Sequence, residues 1–226
     1  MTTSRFRSVI FDFDYTLADS SEGAVECVNY ALKSMGLPQA AGVTIRATIG
    51  MALKDIYKSL TGDTRQSRAM EFARLFAIRA DQVMLDHTVL FDFVKAPLRR
   101  LEGRGLSLAI VSTKFRYRIE AFLRRECLFD AFKVIVGGED VKEHKPDPTG
   151  IRLALQRLAC NPAEAVYVGD STVDAEAAAR ASIPFIAVLS GVTTRQAFRK
   201  YGPLSVIDDV RFLPALLLPS EVGGGR

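Results

Sequence analysis

Six short runs in this chain, at 6–11, 106–111, 132–136, 165–168, 184–188 and 204–207, are apolar without alternating. A strand with one face in water alternates apolar and polar residues. A run that does not alternate belongs inside a parallel sheet covered on both faces. Parallel strands need crossover connections, and amphipathic segments lie near 92–104, 115–125, 148–159, 173–181, 194–200 and 209–218. This alternation predicts a doubly wound, Rossmann-like α/β fold. It breaks once. Between about 20 and 90 the periodicity is helical, with helices expected near 21–36, 51–60 and 65–86, punctuated by Gly36-Leu37-Pro38 and Gly62-Asp63. The expected organisation is an α/β core from 1–17 and 90–226, with 18–89 inserted as a small helical cap. The glycine tail at 223–226 is expected to lack order.

Bulk properties narrow the function. A formal charge of +4 on 226 residues is mild. The densest basic stretches, Arg99-Arg100 with Arg104 and Arg116-Tyr117-Arg118, fall in helical patterns and read as solvated helix faces, so no nucleic-acid partner is expected. The three cysteines, Cys27, Cys127 and Cys160, have no metal-ligand spacing and form no disulfide pattern, which suits a reducing cytoplasm. No window reaches membrane-spanning length without charges, and the apolar run at the N-terminus is too short for a signal peptide.

Ligands of open parallel sheets bind beyond the carboxyl ends of the strands. There the sequence places Asp12, Asp14 and Thr16 after the first run, and Ser112, Thr113 and Lys114 after the second. Lys145 follows the third, and Asp170 and Asp174 follow the fourth. Singly, Ser112, Thr113, Asp147, Asp170 and Ser171 also read as helix caps. Their joint appearance at successive strand ends points instead to one polar site.

In four segments the sequence resembles the haloacid dehalogenase superfamily, nearest its phosphoglycolate-phosphatase-like branch. These are Phe11-Asp12-Phe13-Asp14-Tyr15-Thr16-Leu17-Ala18-Asp19-Ser20, Ile110-Val111-Ser112-Thr113-Lys114, Lys145-Pro146-Asp147-Pro148, and Val168-Gly169-Asp170-Ser171-Thr172-Val173-Asp174. The resemblance covers nearly the whole chain and implies a Mg²⁺-dependent phosphatase acting on a small phosphorylated molecule. Asp12 would be the nucleophile that forms an aspartyl phosphate, and Asp14 the acid and base. Ser112 and Lys145 would hold phosphoryl oxygens, with Thr16 and Thr113 on the substrate. The implied metal ligands are the Asp12 and Asp170 carboxylates and the Asp14 backbone carbonyl. Asp174 would be a further ligand or an outer anchor. Relatives that cleave other bonds lack the second aspartate, so Asp14 implies phosphate esters or anhydrides. Tyr15 stands where relatives usually carry glycine.

The same resemblance makes the helical insert a cap. Its loop Arg46-Ala47-Thr48-Ile49-Gly50-Met51 would face the site, with Gly50 as the turn residue. Arg46 and Lys54 would meet a second anion of the substrate, although both read equally well as surface cations. A Schiff-base role for Lys54 is disfavoured by the presence of Asp14. Met35, Met51, Met70 and Met84 read as cap core, and His144 as a solvated loop histidine near the pocket mouth. An inorganic pyrophosphatase or sugar-phosphate mutase on the same scaffold is the alternative enzyme. A non-enzymatic phosphate-binding protein is disfavoured because every motif carboxylate is present. The expected state is monomer or homodimer.

Overall fold

The computed structural model describes residues 5–218, so the expected disorder of 223–226 lies outside the described residues. Six parallel strands form one sheet: β1 (Ser8–Phe11), β4 (Ser107–Val111), β5 (Phe132–Val136), β6 (Ala165–Gly169), β7 (Phe185–Val188) and β8 (Ser205–Ile207). Their order is β5-β4-β1-β6-β7-β8. All six apolar runs are therefore strands, and the Rossmann-like α/β fold is the one expected.

The absence of alternation has a direct cause. Val9 and Phe11 of β1 join Leu108, Ile110, Val166 and Val168 in one buried cluster. Ile10 joins Ala109, Val111 and Tyr167 in a second cluster on the opposite face. Helices α5 (Lys95–Gly103), α6 (Arg116–Arg125) and α10 (Leu213–Leu217) cover the first face through Leu98, Leu101, Phe122 and Leu213. Helices α7 (Thr149–Arg157) and α8 (Thr172–Arg180) cover the second through Ile151, Leu155, Ala175 and Ala178. The short α9 (Arg195–Phe198) adds Phe198. Each strand thus needs apolar residues at both parities.

The intervening segment is helical: α1 (Ser21–Ser34), α2 (Gly42–Arg46), α3 (Leu53–Thr61) and α4 (Gln66–Val83). It carries its own buried cluster, in which Cys27, Val28, Leu32, Tyr57, Phe72 and Phe76 pack together. Two features escape the sequence pattern. Helix α2 is too short to show a period. Strands β2 (Ala18–Asp19) and β3 (Val89–Leu90) form a separate antiparallel ladder where the chain leaves the α/β body and returns to it. Met70 is a correction: it is exposed rather than packed in the helical core.

Candidate active site

Register brings the site together. Phe11 pairs with Ile110 on one side and Val168 on the other, so the next residues, Asp12, Val111-Ser112 and Gly169-Asp170, emerge side by side. The Asp12 amide continues the ladder, donating to the Val168 carbonyl at 2.8 Å. Glycine is required at two points here. A Cβ on Gly169 would sit 2.6 Å from the Asp174 carboxyl carbon, and one on Gly191 would sit 2.0 Å from Asp170 Oδ2.

Two polar networks result. The deeper one centres on Lys145, which is buried. Its ammonium lies 2.8 Å from Asp12 Oδ1 and 2.6 Å from Asp174 Oδ1. The contact to Asp12 is an ion pair without hydrogen-bond alignment. The Tyr167 hydroxyl donates to the Val111 carbonyl at 3.0 Å and also lies 3.1 Å from Asp174 Oδ1. The other Asp174 oxygen accepts from the Ser171 hydroxyl at 2.6 Å and the Ser171 amide at 3.1 Å, while Ser171 caps α8 by accepting from the Asp174 amide. Asp170 lies within reach of the Thr16 hydroxyl at 3.5 Å.

The shallower network holds Asp14. Its Oδ1 accepts from Ser20 Oγ at 2.5 Å and from Lys114 Nζ at 2.8 Å, and the same ammonium reaches Ser20 Oγ at 2.9 Å. The Asp14 side chain is thereby held by Ser20 and Lys114, whereas Lys145 holds Asp12 and Asp174.

Asp12, Asp170 and Asp174 are all buried and present oxygens within 4.8 Å of one another. Burial first, then the charge of Asp174, pushes Asp12 up to about 7 despite Lys145. The same two causes, with Asp12 added, hold Asp170 well above the carboxylate range. Lys145 is also raised, which for a lysine favours its charged form. Burial opposes its charge, but Asp12 and Asp174 prevail and keep the ammonium protonated. Three buried carboxylates against one ammonium leave a negative excess that a divalent cation would neutralise. An all-oxygen donor set suits a hard ion of the Mg²⁺ type, so these residues fit a metal.

The structure does not bring every expected residue to one place. Asp12, Asp14, Ser112, Lys145, Asp170 and Asp174 gather at the sheet edge. A pocket of about 310 Å³ opens beside Asp14, and Gly50, Thr113 and Lys54 line it. Thr113 Oγ1 donates to the Gly50 carbonyl at 3.3 Å, and Gly50 turns the chain at φ 94°. Thr16 is fully buried against Asp170. Arg46 points elsewhere: its guanidinium folds back beside Gly42, donates to Ser21 Oγ at 3.3 Å and lines a separate groove with Glu22 and Glu26. Helix α6 begins at Arg116 with Phe115 at its N-cap, so Ser112 and Thr113 do not cap it, and the Ser112 amide is engaged by the Val136 carbonyl.

Ser20 and Tyr167 were not among the expected site residues, and Lys114 was expected at the strand ends without a role. A tyrosine within an otherwise apolar buried strand was the available signal, since its hydroxyl needs a partner. Lys114 stood next to Thr113 in the sequence, but nothing there showed that it reaches Asp14.

The doubly wound sheet, with aspartates after β1 and β6 and lysines after β4 and β5, is that of a hydrolase superfamily. The profile of the haloacid dehalogenase-like hydrolase family matches residues 9–188, and the chain belongs to that family. It is similar to the phosphoglycolate phosphatase of Yersinia pseudotuberculosis, with 32% identity over 219 residues covering 95% of this chain and 94% of that one. The Escherichia coli K12 phosphoglycolate phosphatase is 28% identical over 235 residues, 94% of this chain and 93% of its own. A haloacid dehalogenase-like hydrolase from Bacteroides fragilis superposes with a TM-score of 0.90 at 42% identity, covering 92% of this chain and 99% of that one. A Streptococcus pneumoniae family member shares the fold, with a TM-score of 0.83 at 22% identity over 94% of this chain and 98% of that one. The chain is accordingly an enzyme of the phosphoric monoester hydrolase class on the phosphoglycolate-phosphatase-like branch. Among the described residues, no helix is long and apolar enough to cross a membrane.

Proposed function

We propose that this enzyme hydrolyses a small phosphate monoester, of the phosphoglycolate kind or larger, through an aspartyl phosphate on Asp12. The observation that carries the reading is the separation of the two networks. Asp12 sits among acids and Lys145, while Asp14 stands apart at the pocket. In the first step an Asp12 carboxylate oxygen attacks phosphorus. The ester P–O bond breaks, and its electron pair leaves on the alcohol oxygen, which takes a proton from Asp14. In the second step Asp14 accepts a proton from water as that water attacks phosphorus, releasing phosphate and restoring Asp12. The pocket beside Asp14 supports this division, because the leaving group must lie on the acid's side.

Lys145 is placed to offset charge on Asp12 and on the phosphoryl oxygens, with Ser112 as a further hydrogen-bond partner. Asp12 and Asp170, with the Asp14 carbonyl, would hold Mg²⁺, which when bound supplies charge neutralisation at the phosphoryl group. Asp174 is engaged by Lys145, Tyr167 and Ser171, which favours a role as outer anchor. The helical segment 18–89 acts as the cap. The chain's unpaired cysteines, Cys27, Cys127 and Cys160, suit a cytoplasmic setting. Turnover of a phosphate-ester panel with Mg²⁺, and its loss in EDTA, tests the reading. Full activity under thorough chelation contradicts the metal, and inactivity on every ester contradicts the phosphatase.

A further inference from the structure

The pocket beside Asp14 is far larger than a two-carbon leaving group needs. It runs from Asp14 and Lys114 past Gly50 into the interior of the helical segment, where its wall is formed by Val28, Ile56, Phe76 and Met84. All four are buried members of that segment's apolar cluster. Close-packed interiors rarely leave such a space, because lining atoms lose dispersion contacts on the empty side.

The charges lie at the other end. Lys114 is paired with Asp14, and Arg118 with Asp81. Lys54 and Lys142, both exposed, line the same pocket and have no carboxylate partner among the described residues. The pocket is thus cationic at its rim and apolar at its back. Glycolate is polar along its whole length and would leave the apolar wall uncovered.

We propose that the preferred substrate is a phosphate monoester of an alcohol with an apolar body of several carbons, aliphatic or aromatic, seated among Val28, Ile56, Phe76 and Met84. This rests on the phosphatase reading above and names its substrate class. Lys54 and Lys142 attract the phosphate dianion to the opening. The alkyl or aryl part enters the helical interior, which places the ester oxygen at Asp14. Methionine at the wall suits variable shapes, since its side chain is flexible and polarisable.

The test is a series of ethyl, butyl and hexyl phosphates beside phosphoglycolate and p-nitrophenyl phosphate, all with Mg²⁺. Full burial of one methylene is worth roughly fourfold in kcat/KM, so hexyl phosphate should exceed ethyl phosphate by more than tenfold and should also exceed phosphoglycolate. Ala73→Phe, which narrows the pocket, should collapse the hexyl-to-ethyl ratio toward one. Calorimetry provides a second readout without turnover: hexylphosphonate should bind at least tenfold tighter than methylphosphonate, with a negative heat-capacity change. A flat ester series, or equal binding of the two phosphonates, overturns the proposal while leaving a phosphatase in place. Hydrolysis of none of the esters overturns the underlying reading as well.

Discussion

The sheet edge and the helical segment are built on opposite terms. At the sheet edge the buried side chains are ionised or strongly polar, and Lys145, Asp174, Tyr167 and Ser171 satisfy one another within 3.2 Å. In the helical segment the buried side chains are almost all carbon, and a cavity remains among them. A preorganised polar site stabilises charge that develops at fixed positions. An apolar cavity discriminates by size and shape, gaining little per methylene. Chemistry and selection are thereby assigned to different parts of one chain, which hydrogen bonds join, among them those of Arg118 to Asp81 and Arg125 to Thr88. Thr113 to Gly50 is another, and Lys114 to Ser20 a further one.

The largest effect expected from breaking the sheet-edge half is on turnover. Asp12→Asn should lower kcat by roughly 10⁴-fold or more, the scale seen when a nucleophile is removed, with the circular dichroism spectrum unchanged. Near-normal kcat would remove Asp12 from the chemistry.

Asp14→Asn should cost roughly 10²–10⁴-fold, the usual worth of general acid–base assistance. The loss should be larger for an alkyl phosphate than for p-nitrophenyl phosphate, whose leaving group needs no proton. Mg²⁺ affinity should persist, because the side chain engages Ser20 and Lys114 rather than the carboxylate cluster. Equal loss on both esters together with lost Mg²⁺ binding would make Asp14 a metal ligand.

The acid cluster also separates the halves by pH. Asp12 ionises near 7 in the folded chain, against 3.8 ordinarily. Between those values the folded state binds more protons than the unfolded one, so this group stabilises at low pH and its contribution is lost as pH rises from about 4 to 7. Asp170, also raised, acts in the same direction. In EDTA, Tm should therefore fall between pH 5 and 8, and Mg²⁺ should restore it most at the higher pH. A metal-independent Tm that does not fall over this range would contradict the cluster's assignment.

Tyr15 should give the smallest effect. It adopts φ 59°, a left-handed conformation that favours glycine, while its ring is buried. Tyr15→Gly relieves strain of roughly 1–3 kcal/mol but removes buried apolar surface worth roughly 1.5–3 kcal/mol. The two nearly offset, so Tm should move by only a few degrees. A large loss of stability would mean that the ring's contacts outweigh the backbone strain.

The sheet was legible because burial on both faces writes itself into every residue of a strand, as in Val9-Ile10-Phe11. Asp12 and Asp170 were legible because each follows a strand directly. What stayed hidden depends on three-dimensional aim. Arg46 and Lys54 read alike in sequence, yet one folds back to Ser21 and the other lines the pocket. Lys114 reaches a residue a hundred positions away. The ladder of β2 and β3 is two residues long and carries no period.

Covalent chemistry on Asp12 at the sheet edge is open to trapping. The enzyme, mixed with Mg²⁺ and an ester it hydrolyses, is quenched in acid within milliseconds, digested and sequenced by mass spectrometry. A phosphoryl group is expected on the peptide carrying Asp12, at a higher level in Asp14→Asn when p-nitrophenyl phosphate is the donor. A phosphoryl group on any other residue, or none on Asp12 in Asp14→Asn during measurable release of p-nitrophenol, would contradict covalent chemistry on Asp12.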